Sequence, residues 1–409
     1  MSSSQPESGS TAQPESLNIA WISRGRLFVR RGTEPAREVE SEFARKAIER
    51  EIRDSQLNSW KGRSGIWGNM GIQPPGTVPW EDVEARRRIR FAALAPGESP
   101  DHICYVLDMG VVGGLFSYDL SRDEERRLVH RQGFVARDLS RHPVDGQLAL
   151  SLPREDGTVG LKITRHDGLF GSSATVSDSL DETPRWLPDG THRLVFQSST
   201  IGRNEHGIAV GQTTWRIEML DVGSGQTTTV HEEEHFDLLQ PVMTSDESLI
   251  CIRRPYQAVR RNDQTFLQFL TDVVLFPYRL ARTFVYFFHF LSVMFSGRPL
   301  ISSGGPDQPN SRTSPVMMLW GQAIDTKRFL NRKSAGSTGE SLVPRDWQLI
   351  RRRTDGTQET LAEGVLAFDV DPGGQLVYTN GRAIFRLSES GAPEVIHQGE
   401  LIERVIILR

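Results

Sequence analysis

Short apolar runs of three to six residues, separated by turn-forming residues, recur along this chain and predict strands rather than helices. The sharpest copy runs from Asp181 to Val230. It opens Asp-Glu-Thr-Pro-Arg-Trp-Leu-Pro-Asp-Gly (181–190) and continues through Leu194-Val195-Phe196. It ends Trp-Arg-Ile-Glu-Met-Leu-Asp-Val-Gly-Ser-Gly-Gln-Thr-Thr-Thr-Val (215–230). This pattern predicts strand, tight turn, strand, loop, strand, tight turn, strand. Asp189-Gly190 and Gly223-Ser224-Gly225 supply the residues that short hairpin turns need. A lone four-stranded sheet cannot bury both faces, so copies must stack, and radial stacking gives a β-propeller.

The other copies are weaker but in phase. One runs Ile89-Arg90-Phe91, Pro96-Gly97, Ile103–Leu107, Leu115–Leu120 and Arg126–Leu128. The next runs Val135–Leu139, His142–Gly146, Leu148–Leu150, Leu161–Ile163 and Ala174–Val176. A further copy begins at Leu238-Leu239, turns at Ser245-Asp246 and continues Leu249–Ile252, with its second half displaced to Trp347–Ile350 and Glu359–Leu361. The last comprises Val365–Val370, Asp371–Gly374, Leu376–Tyr378, Ile384–Leu387 and Val395-Ile396. Turn anchors Pro96, Pro143 and Pro188 lie 47 and 45 residues apart, about one propeller blade each. Near the N-terminus, Ile19–Ile22, Leu27–Arg30 and Arg37–Val39 give only three strands, and Arg404–Leu408 is a strand without a successor. Joining them completes a first blade. The predicted fold is an all-β, six-bladed propeller closed by N- and C-terminal strands in one blade, with α-helical insertions on one face. That closure removes exposed sheet edges.

The Trp186-Leu-Pro-Asp-Gly190 turn, the preceding Asp181 and Pro184, and the Asp221-Val-Gly-Ser-Gly225 hairpin resemble TolB-type, WD40-like propeller repeats. The resemblance covers roughly two-thirds of the chain. It implies a propeller of the kind that serves as a periplasmic adaptor, a gating domain of a peptidase or a partner-binding scaffold. Peptidase relatives carry an α/β-hydrolase domain. Here the repeats use the residues such a domain would need, and no G-x-S-x-G elbow is present.

A formal net charge of −4 disfavours nucleic acid as a partner. Cys104 and Cys251, each within an apolar run, are expected to be buried thiols. Residues 1–17 read as a disordered leader without a basic start or apolar stretch, which predicts a cytoplasmic protein. The propeller is expected over 18–409.

Three insertions interrupt it. In an antiparallel blade with strands a to d, the a–b and c–d turns share one face, and the b–c loops and d-to-a links share the other. Residues 40–88 follow a strand d, and 198–214 and 254–346 are b–c loops, so all three are expected on the same face. The first opens with a predicted helix from Ser41 to about Asn58, with Phe43, Ile48 and Ile52 along one side. Trp60, Trp67 and Trp80 follow; they either pack the insertion onto the disc or form a partner surface.

The third insertion carries the strongest functional signal. In Gln264–Gly297, ten of thirty-four residues are Phe or Tyr: Phe266, Phe269, Phe276, Tyr278, Phe284, Tyr286, Phe287, Phe288, Phe290 and Phe295. The uncharged run Thr283–Gly297 is fifteen residues, short of the ~20 a spanning helix needs. Pro277 interrupts the pattern of the longer Gln264–Gly297 segment, and two helical pieces joined at a kink are expected. Between Arg253 and Arg298 lie seven Arg, among them Arg260, Arg261, Arg279 and Arg282, and two Asp, a net charge of +5. Aromatic rings edged by arginine suit the headgroup region of an anionic membrane. Docking into a protein partner, or covering the channel mouth, are the other readings. A flexible tether (302–311) and a predicted helix over Pro315–Lys333 follow.

His231-Glu-Glu-Glu-His235 matches H-E-x-x-H, whose zinc chemistry needs both His one helical turn apart. Here Thr227–Val230 and Phe236–Leu239 are predicted strands, so the motif is a link. In an extended link the two His would lie about 13 Å apart. His102, His142, His166 and His206 fall near turns and are expected to be exposed. No cofactor and no metal ligand set is predicted. The function expected is a non-enzymatic scaffold or adaptor. It would bind protein partners on the b–c loop face and dock its aromatic, basic lobe at an anionic membrane surface, peripherally at the inner face, or at a membrane-bound partner. The alternative is a propeller hydrolase or lyase using the central channel.

Overall fold

The computed structural model describes residues 17–50, 53, 89–110, 112–164, 170–175, 177–207, 209–256, 316–319, 322–325, 341–388 and 391–409. The chain divides into two compact units. The first comprises Met1–Ala47, Ala85–Tyr256 and Thr338–Arg409, and the second Ile48–Glu84 and Gln257–Ser337.

The first unit is built of antiparallel meanders. Strands β1 (Ile19–Ser23), β2 (Arg26–Arg30) and β3 (Arg37–Val39) form one. Strands β4 (Arg90–Pro96), β5 (His102–Asp108), β6 (Val112–Asp119) and β7 (Glu124–Gln132) form the next. A nine-stranded sheet contains two more. Its first part is β8 (Asp138–Arg141), β9 (Leu148–Pro153), β10 (Val159–Thr164) and β11 (Phe170–Ser173). Its second part is β12 (Ser179–Trp186), β13 (Arg193–Arg203), β14 (Ala209–Gln212), β15 (Arg216–Asp221) and β16 (Thr227–His231). A single parallel bridge, Val159 to Leu180, joins the two parts. Strand β11 falls at 170–173 rather than at the expected 174–176. There, the Ala174 amide donates to Leu161 O and the Leu161 amide to Thr175 Oγ1, which ends the ladder.

Strands β17 (Phe236–Met243) and β18 (Leu249–Pro255) begin the next meander. The second unit then contributes β19 (Val316–Leu319) and β20 (Gln322–Asp325), an antiparallel hairpin in register Val316 to Asp325 and Leu319 to Gln322. This overturns the helix expected over Pro315–Lys333. The run Val316-Met-Met-Leu319 has no 3.6-residue period, and a two-residue connection fits hairpin pairing. β21 (Gln348–Arg352) and β22 (Gln358–Glu363) complete the interrupted sheet. The last meander is β23 (Ala367–Val370), β24 (Leu376–Thr379), β25 (Ala383–Leu387) and β26 (Pro393–Gln398).

The final strand, β27 (Ile402–Ile407), returns to pair with β1, aligning Ile19 with Ile407 and Ile22 with Arg404. The two chain ends therefore share one sheet, as the sequence pattern required. The leading strands of the meanders pack in a closed cycle: β27 on β4, β4 on β8, β8 on β12, β12 on β17, β17 on β23 and β23 on β27. The apolar core lies between neighbouring sheets rather than at one centre. Tyr105, Phe116, Leu27 and Val29 fill one such layer, and Val195, Ile217, Leu238 and Cys251 another. Both cysteines are buried free thiols, and burial pushes the Cys104 thiol up to about 11.

Turn chemistry sets the hairpins. Gly190 (φ +74°) and Gly225 (φ +73°) occupy the left-handed positions that the two sharpest turns demand. Strand polarity then decides where chain can be added. β3, β13 and β18 all run away from the tight-turn ends. Residues 198–214 extend the meander as a β13–β14 ribbon, with Ile201 opposite Gln212. After β3, residues 42–50 are helical. Ser41 Oγ caps that helix by accepting from the Ala44 amide at 3.1 Å, and Glu125 accepts from the Phe43 amide at 2.7 Å. The Phe43 ring sits against Phe116 and His130, 5.3 and 4.7 Å between centroids. Among the described residues no helix is long and apolar enough to cross a membrane.

Candidate functional site at the end of the leading strands

The six leading strands converge on a cavity of about 330 Å³. Each contributes the residues at or beyond its turn end. Pro96–Glu98, Ser140–Arg141 with Pro143, Arg185–Pro188, Val242–Ser245, Asp369–Pro372 and Arg409 form the wall. The rim carries a proline from four different meanders, at positions 96, 143, 188 and 372. Trp186, Val242 and Val370 make the apolar part, and Arg141, Arg185 and Arg409 the cationic part. The charges are placed by specific contacts. Arg185 lies 3.7 Å from Asp369, whose other carboxylate oxygen accepts from the Ile407 amide at 2.9 Å. Arg409 donates to Val370 O at 2.9 Å.

Further along the same strands the acids are also matched. Arg404 donates to Asp138 Oδ2 at 2.9 Å, and Arg137 pairs with Glu182. Burial pushes the Glu182 carboxyl above its ordinary range against the pull of Arg137. Two leading strands bulge just before a proline: Thr183 has φ +51° and Gln240 φ +53°. One buried side chain, Gln197, serves both. Its Oε1 accepts from Thr183 Oγ1 at 3.0 Å and from the Gln240 amide at 2.8 Å. Gln240 Nε2 in turn donates to Leu366 O at 3.1 Å. This polar thread holds three neighbouring meanders together beside the cavity, and it offsets the strain of the two positive φ angles.

The H-E-x-x-H stretch is a link, as expected: β16 ends at His231 and β17 starts at Phe236. His231 Nε2 lies 3.3 Å from Glu233 Oε1 without the alignment of a hydrogen bond, and Glu233 instead accepts from Arg253 at 2.7 Å. Burial holds the His231 imidazole below its ordinary pKa, 6.5. The unfolded chain therefore binds a proton at higher pH than the folded chain, and stability falls as pH drops below about 6.5. Replacing His231 with Gln is expected to flatten the decline in melting temperature between pH 7 and pH 5. Identical pH profiles for the two proteins would refute that assignment.

The histidines expected at the surface divide. His206 is exposed and His102 half-buried, and His166 lies outside the described residues. His142 is a correction, because it is fully buried. The Trp186 ring meets it edge-on at 4.8 Å and His192 stacks on it at 4.9 Å, both from the neighbouring meander. Position in a turn gave no sign of that cover. The residues expected to dock at a membrane or partner, from Arg260 to Phe295, lie outside the described residues, as do Trp60, Trp67 and Trp80.

No protein-family model matches the sequence. No curated protein matches it. Among solved structures, the chain is similar to TolB from Acinetobacter baumannii, with 12% identity and a TM-score of 0.50, over 96% of this chain and 66% of that one. It is also similar to a nidogen/laminin complex chain, with 6% identity and a TM-score of 0.48, over 96% of this chain and 98% of that one. The tricorn protease gives 8% identity and a TM-score of 0.45, over 95% of this chain and 34% of that one. The chain spans about two-thirds of the TolB chain it matches. At such identities the likeness concerns the fold, which is a TolB-like β-propeller.

Proposed function

We propose that this protein is a non-enzymatic adaptor, a six-bladed propeller that grips a partner protein and carries an aromatic, basic segment to an anionic membrane or a membrane-bound partner. The closed cycle of six leading strands supports the blade number. The observation that carries the binding reading is the pairing of acids along those strands. Asp138, Glu182 and Asp369 each already face an arginine. An acid held by a fixed cation is a poor proton shuttle, whereas a proline-rimmed, arginine-bearing cavity suits an extended polar segment of a partner. The raised Glu182 carboxyl favours the second reading, a hydrolase or lyase working in the channel. Its ion pair with Arg137 weighs against that role.

The segment Gln264–Gly297 supports membrane or partner docking by its composition alone. Such a chain would work in the cytoplasm at the inner face of the membrane. If the segment lies in a membrane interface, the protein floats with anionic liposomes and much less with neutral ones. Each arginine near the surface contributes about 1 kcal/mol, weakened by salt. Phe287→Asp with Phe288→Asp abolishes flotation without lowering thermal stability, and Arg260→Glu with Arg261→Glu weakens it mainly at low salt. Absence of flotation, together with loss of a co-purifying protein from the Phe variants, replaces the membrane by a protein partner. Phe variants that merely melt earlier would sink both and leave the segment as internal cover.

A further inference from the structure

The burial of His142 has a chemical consequence independent of the adaptor reading. Its Nε2 faces Thr191 O at 3.2 Å, and a carbonyl oxygen only accepts, so Nε2 carries the ring proton. With the proton on Nε2, Nδ1 is left as an acceptor. It accepts from the Val144 and Asp145 amides at 3.3 and 3.2 Å, yet it also lies 2.9 Å from Asp145 Oδ1. Two lone pairs held that close call for a cation between them, either a proton or a metal ion. The other oxygen of the same carboxylate is 2.8 Å from His192 Nε2. The three ligand atoms lie within 4.8 Å of one another.

We propose that His142 Nδ1, the Asp145 carboxylate and His192 Nε2 form a site for a divalent transition metal of the zinc class. Two imidazoles and one carboxylate are the donor set that such ions prefer over calcium or magnesium. The outer contact also fits. A ligating histidine usually donates its second N–H to a carbonyl or carboxylate, and His142 does so to Thr191 O. His142 is fully buried and fixed, while the His192 side chain is 53% exposed. The two rings are stacked with 15° between planes, so a shared ion draws the exposed His192 ring out of the stack. The ion would clamp the β8–β9 turn to the β12–β13 turn. None of its three ligands lines the cavity, but Trp186, which touches His142, does. Water completes the coordination.

The test uses full-length protein dialysed against a chelator and then against buffer, titrated with zinc chloride by calorimetry. We expect one equivalent per chain and a zinc-dependent rise in melting temperature. His192→Ala, at a half-exposed turn position, should weaken both, with affinity at least ~10-fold lower, since the loss of even an outer-shell partner typically costs that much. Asp145→Asn should behave alike. The double variant His231→Ala, His235→Ala should bind as the unaltered protein does. Nickel should quench Trp186 emission, measured as the difference from Trp186→Phe, and fail to do so in His192→Ala. Absence of saturable binding would overturn the proposal and leave a proton-bridged cluster. Binding that survives His192→Ala but disappears with the His231/His235 pair would overturn it equally and move the metal to the link.

Discussion

Removal of residues 402–409 yields insoluble or aggregating protein. The deletion takes away all of β27, with Ile402, Val405, Ile406 and Ile407 buried in it, and the buried Leu408 just beyond. At about 1.5–3 kcal/mol for each buried apolar side chain, the loss is about 10 kcal/mol, comparable with the entire stability of a typical domain. The damage extends beyond packing. β1 loses its partner along Ile19–Ser23 and becomes an unpaired apolar edge, the kind of surface on which chains add to one another. Asp138 and Asp369 lose the Arg404 side chain and the Ile407 amide that hold them. Size-exclusion chromatography and thermal melting check this outcome. A soluble, monomeric truncation with an unchanged melting temperature would show that the terminal strand does not close the sheet.

That closure was legible in the sequence because an incomplete set of strands at each end is an accounting problem with one economical solution. Three strands at the N-terminus lacked a fourth, and Arg404–Leu408 lacked a successor. The inner repeat strands were equally legible, since most are short apolar runs bounded by Gly, Pro or Asp. Local signals failed where the decisive contact is remote. β11 was misplaced because its end is set by the Leu161 and Thr175 hydrogen bonds, not by its own side chains. The 316–325 hairpin carries a helix-like signal because a short apolar run with basic residues beyond it suits either structure.

The candidate site was less legible than the fold, for a physical reason. The cavity wall draws one short stretch from each of six strands, from Pro96 to Arg409, and its signature residues, Pro96, Pro143 and Trp186–Pro188, read in sequence as turns of the repeat rather than as a shared wall. His142 looked like an ordinary turn residue, because its burial comes from Trp186 and His192 more than forty positions later. The paired charges beside the cavity had the same invisibility. Arg137 and Glu182, or Asp138 and Arg404, become partners only when leading strands from separate meanders converge around the cycle.

One buried pair at the root of the largest insertion carries the second large effect. Asp237 and Arg254 face each other in register across β17 and β18, and each is 2% exposed. Arg254 Nε donates to Asp237 Oδ2 at 3.0 Å, and the Trp215 amide donates to Oδ1 at 3.1 Å. The guanidinium lies 4.8 Å from the Trp347 ring, so the pair also ties β18 to the chain that returns after the insertion. Burial opposes the charge on both groups, raising the Asp237 carboxyl and lowering Arg254. Their mutual attraction compensates only while both are present. Asp237→Ala strands a cation in the interior and is expected to cost about 3–5 kcal/mol in denaturant unfolding. Asp237→Leu combined with Arg254→Met removes both charges and keeps the volume, so it should recover most of that loss. A double variant no more stable than Asp237→Ala would mean that the Trp215 amide and the Trp347 stack, rather than the unpaired charge, carry the energy. A single variant that loses less than about 1 kcal/mol would mean that water reaches the pair.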